Sequence, residues 1–109
     1  GLSTVARTAL SSYSKLLAQE VAANGITVNN VLPGSVATGR LQSVIAVQAK
    51  SNNRTVREQE AMRLASIPAG RFGEPREVGD LIAFLASARG AFITAQNIGV
   101  DGGQIKGLT

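Results

Sequence analysis

Cysteine, histidine and tryptophan are absent from this 109-residue chain. Without cysteine there is no disulfide framework and no thiolate metal site. Without histidine the commonest metal ligand and general base is missing. Aromatic residues make up only 4% of the chain, which removes the stacking platforms that single-stranded nucleic acid needs. No apolar run approaches the ~20 residues that span a bilayer, and no signal-peptide pattern opens the chain. The expected location is cytoplasmic, with no membrane partner. Acidic residues are scarce, 7 against 11 cationic ones, for a formal charge of +4. The cations are scattered from Arg7 to Lys106 with no dense basic run, so a solvated basic surface is the reading and nucleic-acid binding is not expected.

What is present is ordinary for a globular α/β protein: 44% hydrophobic residues, with 12 glycines. The length allows one domain at most, and a domain of this size buries only ~60–70% of its unfolded surface.

Ser3 or Thr4 is placed to cap a helix running to about Ala23, and Asn24-Gly25 is a suitable stop. Leu10, Leu17 and Val21 recur at helical spacing. The opposite side, Ala6, Ala9, Ser11, Ser12 and Ser14, is small. It fits either close intramolecular packing or a subunit interface. Ile26 to Leu32 reads as a strand buried on both faces. A helical pattern from Gly39 to Ala65 breaks near Ser51-Asn52-Asn53, and Thr55 to Glu58 has the form of a capping box that restarts it. Pro75 suits the first turn of a further helix, whose apolar stripe is Val78, Leu81, Ile82 and Leu85. Asn97 to Val100 closes as a short strand.

Two glycine-anchored segments stand out. The first runs Gly25-Ile26-Thr27-Val28-Asn29-Asn30-Val31-Leu32-Pro33-Gly34-Ser35-Val36-Ala37-Thr38. The second is Gly70-Arg71-Phe72-Gly73-Glu74-Pro75, followed by Val100-Asp101-Gly102-Gly103. In open α/β sheets, ligands bind just outside the carboxyl ends of strands. Pro33 has no N–H with which to extend a ladder, and Gly34 allows close backbone approach. Asn29 and Asn30 are poor strand formers and need partners if buried, which favours a structural role for them. Asp101-Gly102-Gly103 reads as a tight turn.

In this order, the long helix and these segments resemble the C-terminal half of a short-chain dehydrogenase/reductase, of the 3-oxoacyl-carrier-protein-reductase-like kind. The resemblance implies an α/β fold: the C-terminal portion of a Rossmann-type doubly wound parallel sheet, with two parallel strands plus helices. No G-x-G-x-x-G run is present. Residues 1–109 are therefore expected to form a single partial domain. The opening Gly1, with no Met, suits a processed or proteolysed product.

The resemblance also implies hydride transfer between a carbonyl or hydroxyl substrate and NAD or NADP. Small-molecule or carrier-bound carbonyl substrates are implied, as is a homo-oligomer. In the family a tyrosine moves the hydroxyl proton, and a lysine four residues later lowers its pKa from near ~10 and holds the nicotinamide ribose. The family's spacing from the Pro-Gly turn puts Arg7 at the lysine position and Ser3 at the tyrosine position. The one tyrosine, Tyr13, has no lysine four residues on. Arg7 can still hydrogen-bond ribose or phosphate oxygens, whereas Ser3 donates a proton poorly at neutral pH unless activated. Either the parent enzyme uses another proton source or it has lost hydride transfer. The resemblance further assigns Pro33 and Gly34 to the nicotinamide ring, the Val36 backbone to its carboxamide, and the Thr38 hydroxyl to carboxamide or pyrophosphate.

Residues 39–66 correspond to the family's substrate lid. Arg54, Arg57 and Arg63 within it suit an anionic or carrier-bound substrate. The isolated chain is expected to be inactive, because the phosphate-cradling turn is missing. The rival reading is a non-catalytic, self-associating subdomain that packs against its missing half or its own twin.

Overall fold

A computed structural model describes residues 2–104, with side chains from Thr4 onward. Helix α1 covers Leu2–Val21 and tightens into a 3-10 turn at Ala22–Asn24. Gly25 then stops it at φ 74°, in the left-handed region that glycine enters without strain. Strand β1 is Asn30–Pro33. Helices α2 (Gly39–Ser51) and α3 (Val56–Ala65) form a hairpin, α4 (Pro75–Ala86) follows, and β2 (Asn97–Val100) ends the fold. The two strands pair in parallel, Asn30 opposite Asn97 through to Pro33 opposite Val100. The architecture is thus α/β with a two-stranded parallel sheet.

The strand begins four residues later than its apolar pattern suggests. Over Val28 and Asn29, side chains take the place of the ladder. The Val28 N–H donates to Thr94 Oγ1 at 3.0 Å. The Asn29 carboxamide donates to the Ile93 carbonyl at 3.0 Å and accepts from the Gln96 N–H at 3.1 Å. The backbone is satisfied, so nothing forces regular pairing.

Pro33 also behaves differently from its expected role as a ladder stop. It is paired, and the ladder runs one residue further, with the Gly34 N–H on the Val100 carbonyl at 3.0 Å. Amides alternate in direction along a strand. Asn30 and Gly34 donate toward β2, so the position where Pro33 lacks a hydrogen faces the other edge and costs no bond.

α1 meets the sheet through small polar residues. Asn30 Nδ2 donates to Asn97 Oδ1 at 2.8 Å, Asn97 Nδ2 to Ser11 Oγ at 2.6 Å, and Ser14 Oγ to Asn30 Oδ1 at 3.4 Å. Buried Ser14 and Ala18 let the helix approach closely. Ser11 and Ser14 therefore belong to the intramolecular contact. The solvent face of α1 carries Val5, Tyr13 and Leu16, each more than 60% exposed.

The hairpin has its own small core. Leu41, Ile45 and Ala49 recur every four residues on α2 and are buried, with Ile45 fully enclosed. Thr55 and Glu58 form the capping box that starts α3, at 3.1 and 2.9 Å. Among the described residues the core is thin, and Phe92, Val47 and Ile82 stand in solvent. The radius of gyration, 16.6 Å, exceeds the ~13 Å of a compact domain this long.

Candidate functional site

The two glycine-anchored segments meet at the carboxyl end of the sheet. β1 ends at Pro33 directly beside Val100, so the segments 34–38 and 101–104 leave the same rim. That rim is where ligands bind in open parallel sheets.

The second glycine segment holds the first in place. The Gly73 N–H donates to the Ser35 carbonyl at 2.9 Å, and the Ala37 N–H donates to the Gly73 carbonyl at 2.8 Å, a one-residue parallel bridge around Val36. In such a bridge the bracketed residue's own N–H and C=O point the other way. Val36 thus presents a donor and an acceptor away from Gly73. Arg71 and Glu77 secure this segment with two bonds, 2.8 and 3.0 Å. Glu77 Oε1 also accepts the Glu74 N–H at 2.9 Å, capping α4. The hydrogen bonds from Arg71, and then that from the Glu74 backbone, hold the Glu77 carboxyl down to about 2. The side chains of this run act on the scaffold: they hold the bridge and the start of α4.

Gly34 is required for a different reason from ligand approach. A Cβ there would sit 2.7 Å from Asp101 Cβ, 2.9 Å from Asp101 Cα and 3.0 Å from Gln104 Oε1. The Asp101–Gly103 turn occupies that space. It is pinned by the Gly103 N–H on Asp101 Oδ1 at 2.8 Å and by the Ala69 N–H on the Gly102 carbonyl at 3.0 Å.

An open cleft of about 360 Å³ lies over this rim, and its lining includes Pro33, Gly34, Val36 and Thr38 but not Gly73. The structure therefore gathers four of the expected cofactor residues into one space. Thr38 caps α2, its Oγ1 accepting from the Leu41 N–H at 3.1 Å. The hydroxyl hydrogen remains available to a ligand. Arg7 is not in this cleft. It lines a separate small depression with Leu10, Ser11, Asn30, Leu32 and Asn97, on the α1 side of the sheet. The Ser3 side chain lies outside the described residues.

Of the three lid arginines expected to suit an anionic substrate, Arg54 and Arg57 are exposed, whereas Arg63 is half-buried and turned inward. Its Nη1 donates to Ser35 Oγ at 3.3 Å and its Nη2 to Gln48 Oε1 at 2.8 Å, and it lines the cleft with Arg40. Ser35 lies within the Pro-Gly run, while Gln48 and Gln104 carry no pattern in the sequence that would mark them. Gln104 Oε1 accepts from both the Ser35 N–H and Ser35 Oγ, at 3.1 and 3.0 Å. These bonds span up to 69 positions.

The fold of the chain is similar to that of solved reductases. The NADPH-dependent reductase YwfH of bacilysin biosynthesis superposes with a TM-score of 0.82 at 36% identity, covering 92% of this chain and 38% of that one. An actinorhodin polyketide ketoreductase with NADPH gives 0.79 at 35%, covering 87% and 36%. A family model described as enoyl-(acyl carrier protein) reductase, of the short-chain dehydrogenase type, matches residues 2–104. The chain belongs to the short-chain dehydrogenase/reductase family. Among curated relatives, 3-oxoacyl-[acyl-carrier-protein] reductase of Vibrio cholerae is 39% identical over 98 residues, 90% of this chain and 36% of that protein. Acetoacetyl-CoA reductase of Shinella zoogloeoides is 41% identical over 92 residues, 84% of this chain and 34% of that protein. The chain thus spans about a third of the length of the curated relatives it matches. Among the described residues, no helix is long and apolar enough to cross a membrane.

Proposed function

We propose that this short-chain dehydrogenase/reductase segment is the nicotinamide-facing part of an NAD(P)-dependent oxidoreductase that acts on a small or carrier-bound carbonyl, 3-oxoacyl groups included. The observation that carries this reading is Val36. Its free-facing N–H and C=O, placed beside Pro33 at the sheet's carboxyl rim, form the donor–acceptor pair that a carboxamide needs. Bound nicotinamide would supply the hydride that reduces the carbonyl carbon. Pro33 and Gly34 wall the ring's position, and Thr38 can donate its hydroxyl to the carboxamide or pyrophosphate.

Arg7 stands at the family's lysine position and takes the ribose, while Ser3 occupies the tyrosine position. Serine's hydroxyl is a weak acid. The proton that completes the alcohol therefore comes from water or from a group outside this chain. The α2–α3 hairpin, residues 39–66, serves as the substrate lid. We place the protein in the cytoplasm.

The isolated chain should bind dinucleotide weakly and turn nothing over, because it has no glycine-rich phosphate turn. A second reading is favoured by the exposed α1 face of Val5, Tyr13 and Leu16 and by the open β1 edge. In it, the segment acts through association with its missing half or a second copy.

One comparison tests both. The full-length protein and residues 1–109 are titrated with NADPH and NADH, assayed with acetoacetyl-CoA, and sized in solution. Saturable oxidation of either cofactor by the full-length protein alone is the expected result. No dinucleotide binding by the full-length protein refutes the oxidoreductase reading. A well-behaved monomer of the isolated segment at micromolar concentration refutes the associative one.

A further inference from the structure

Among the described residues, Arg63 is a half-buried cation without a counter-charge. The ion pairs found among the described residues are Arg71–Glu77 and Arg76–Glu74, and neither involves it. Its two anchors, Ser35 Oγ and Gln48 Oε1, are neutral acceptors. They fix the guanidinium between the lid helices and the strand-end turn without cancelling its charge. Three of its five N–H groups remain for another partner. Among the described residues, its cleft contains a second cation, Arg40, and no carboxylate. The cleft wall beside them is apolar, formed by Leu41, Val44 and Pro33.

A partly desolvated charge is costly unless something opposite meets it. A planar, pre-oriented guanidinium matches the two oxygens of a carboxylate or phosphate. We propose that Arg63, with Arg40 at the cleft mouth, is an anion subsite that binds a carboxylate or phosphate group of the ligand seated over the Pro33–Thr38 turn. The subsite deepens the oxidoreductase reading and rests on it for the neighbouring nicotinamide. Two molecules could bring the anion: the carbonyl substrate or the dinucleotide's diphosphate. Arg54 and Arg57, which are exposed and line no part of the cleft, have no share in it.

The test uses the full-length protein and two variants that remove the free charge differently. Arg63→Gln deletes the cation. Gln48→Glu keeps it but places a carboxylate where an amide oxygen now sits, 2.8 Å from Nη2, supplying an internal counter-charge with little change of shape. Arg63→Lys retains the charge. Each is assayed with acetoacetate and its methyl ester, and titrated with NADPH. Each is also melted with and without inorganic pyrophosphate, a readout that needs no hydride transfer.

If the substrate carries the anion, R63Q and Q48E lower kcat/KM for acetoacetate tenfold or more and for the ester less than twofold. If the diphosphate carries it, both substrates lose equally while the NADPH Kd rises about tenfold. In either case pyrophosphate raises the melting temperature of wild type and R63K but not of R63Q or Q48E. The inference is overturned if Q48E, folded as wild type, matches it in the pyrophosphate shift. It is also overturned if R63Q loses activity equally on both substrates with an unchanged NADPH Kd. Absence of NADPH binding by wild type would refute the oxidoreductase reading alone, since the pyrophosphate arm still decides on the subsite.

Discussion

Replacing Gly34 with alanine adds one methyl group at the most crowded point of the site. Gly34 has no left-handed backbone angle, so the substitution carries no conformational penalty of that kind. Its cost is contact alone. Two of the three atoms the new Cβ meets belong to Asp101, at 2.7 and 2.9 Å. One of these is a backbone Cα, which cannot swing aside as the end of a side chain can. Relief requires the 101–104 turn to back away. That turn is tied to Ala69 through the Gly102 carbonyl, and its Gln104 holds Ser35 by two bonds. Overpacking costs ~1–3 kcal/mol, and each lost Gln104 bond adds ~1 kcal/mol. The expected loss is about 2–4 kcal/mol, which lowers Tm by roughly 5–15 °C in a domain of 150–250 residues.

Calorimetry on full-length protein reads this directly. Gln104→Ala removes one of the three clashing atoms, so G34A should cost about 1 kcal/mol less in that background, a coupling typical of touching residues. A Tm within 1 °C of wild type would refute the crowding argument. So would strict additivity with Q104A, because the turn would then have room that the structure denies it.

Two further outcomes follow from the site. The Glu77 carboxyl sits at about 2 in the folded protein because Arg71 donates to its ionised form, against ~4.3 when unfolded. A lowered folded value stabilises above the unfolded pKa, so this contribution is complete above pH ~4.3 and fades as pH falls toward 2. Melting profiles from pH 6 to 3 should therefore fall more steeply for wild type than for Glu77→Gln, and parallel profiles would contradict it. On the proposed assignment, Ser3→Tyr with Arg7→Lys would restore the family's proton-relay pair. General acid–base groups contribute ~10²–10⁴ in rate, so full-length double variant should gain at least tenfold in kcat for ketone reduction, and unchanged NADPH oxidation would rule out these positions.

Local chemistry was legible in the sequence, and long-range chemistry was not. Pro75 at the first turn of α4, the Thr55–Glu58 box, the break between α2 and α3, and the span of β2 all stand where short-range rules put them. Each depends on residues within four positions. The start of β1 was misread because Thr94 and Asn29 satisfy the backbone across more than sixty positions. The small face of α1 was ambiguous for the same reason. Only the Asn30–Asn97 pair shows that Ser11 and Ser14 turn inward. The sequence does not separate Arg63 from Arg54 and Arg57, because its anchors, Ser35 and Gln48, are 28 and 15 residues away.

The most recognisable runs are scaffold, and this limits what family membership transfers. Gly73 brackets Val36, Arg71 and Glu77 hold that bracket, and the Asp101–Gly103 turn shapes the space that Gly34 leaves. Changing any of these disturbs the rim itself, so they mark the fold whatever reaction it hosts. Ser3 and Arg7 are different in kind. Arg7 is exposed, in its own depression between α1 and the sheet beside Leu32, and lines no part of the cleft at the turn. A change at Arg7 can therefore leave β1, the bridge and the cleft with their geometry. The scaffold and the positions proposed for proton chemistry sit on separate elements, so preservation of the first is no measure of the second.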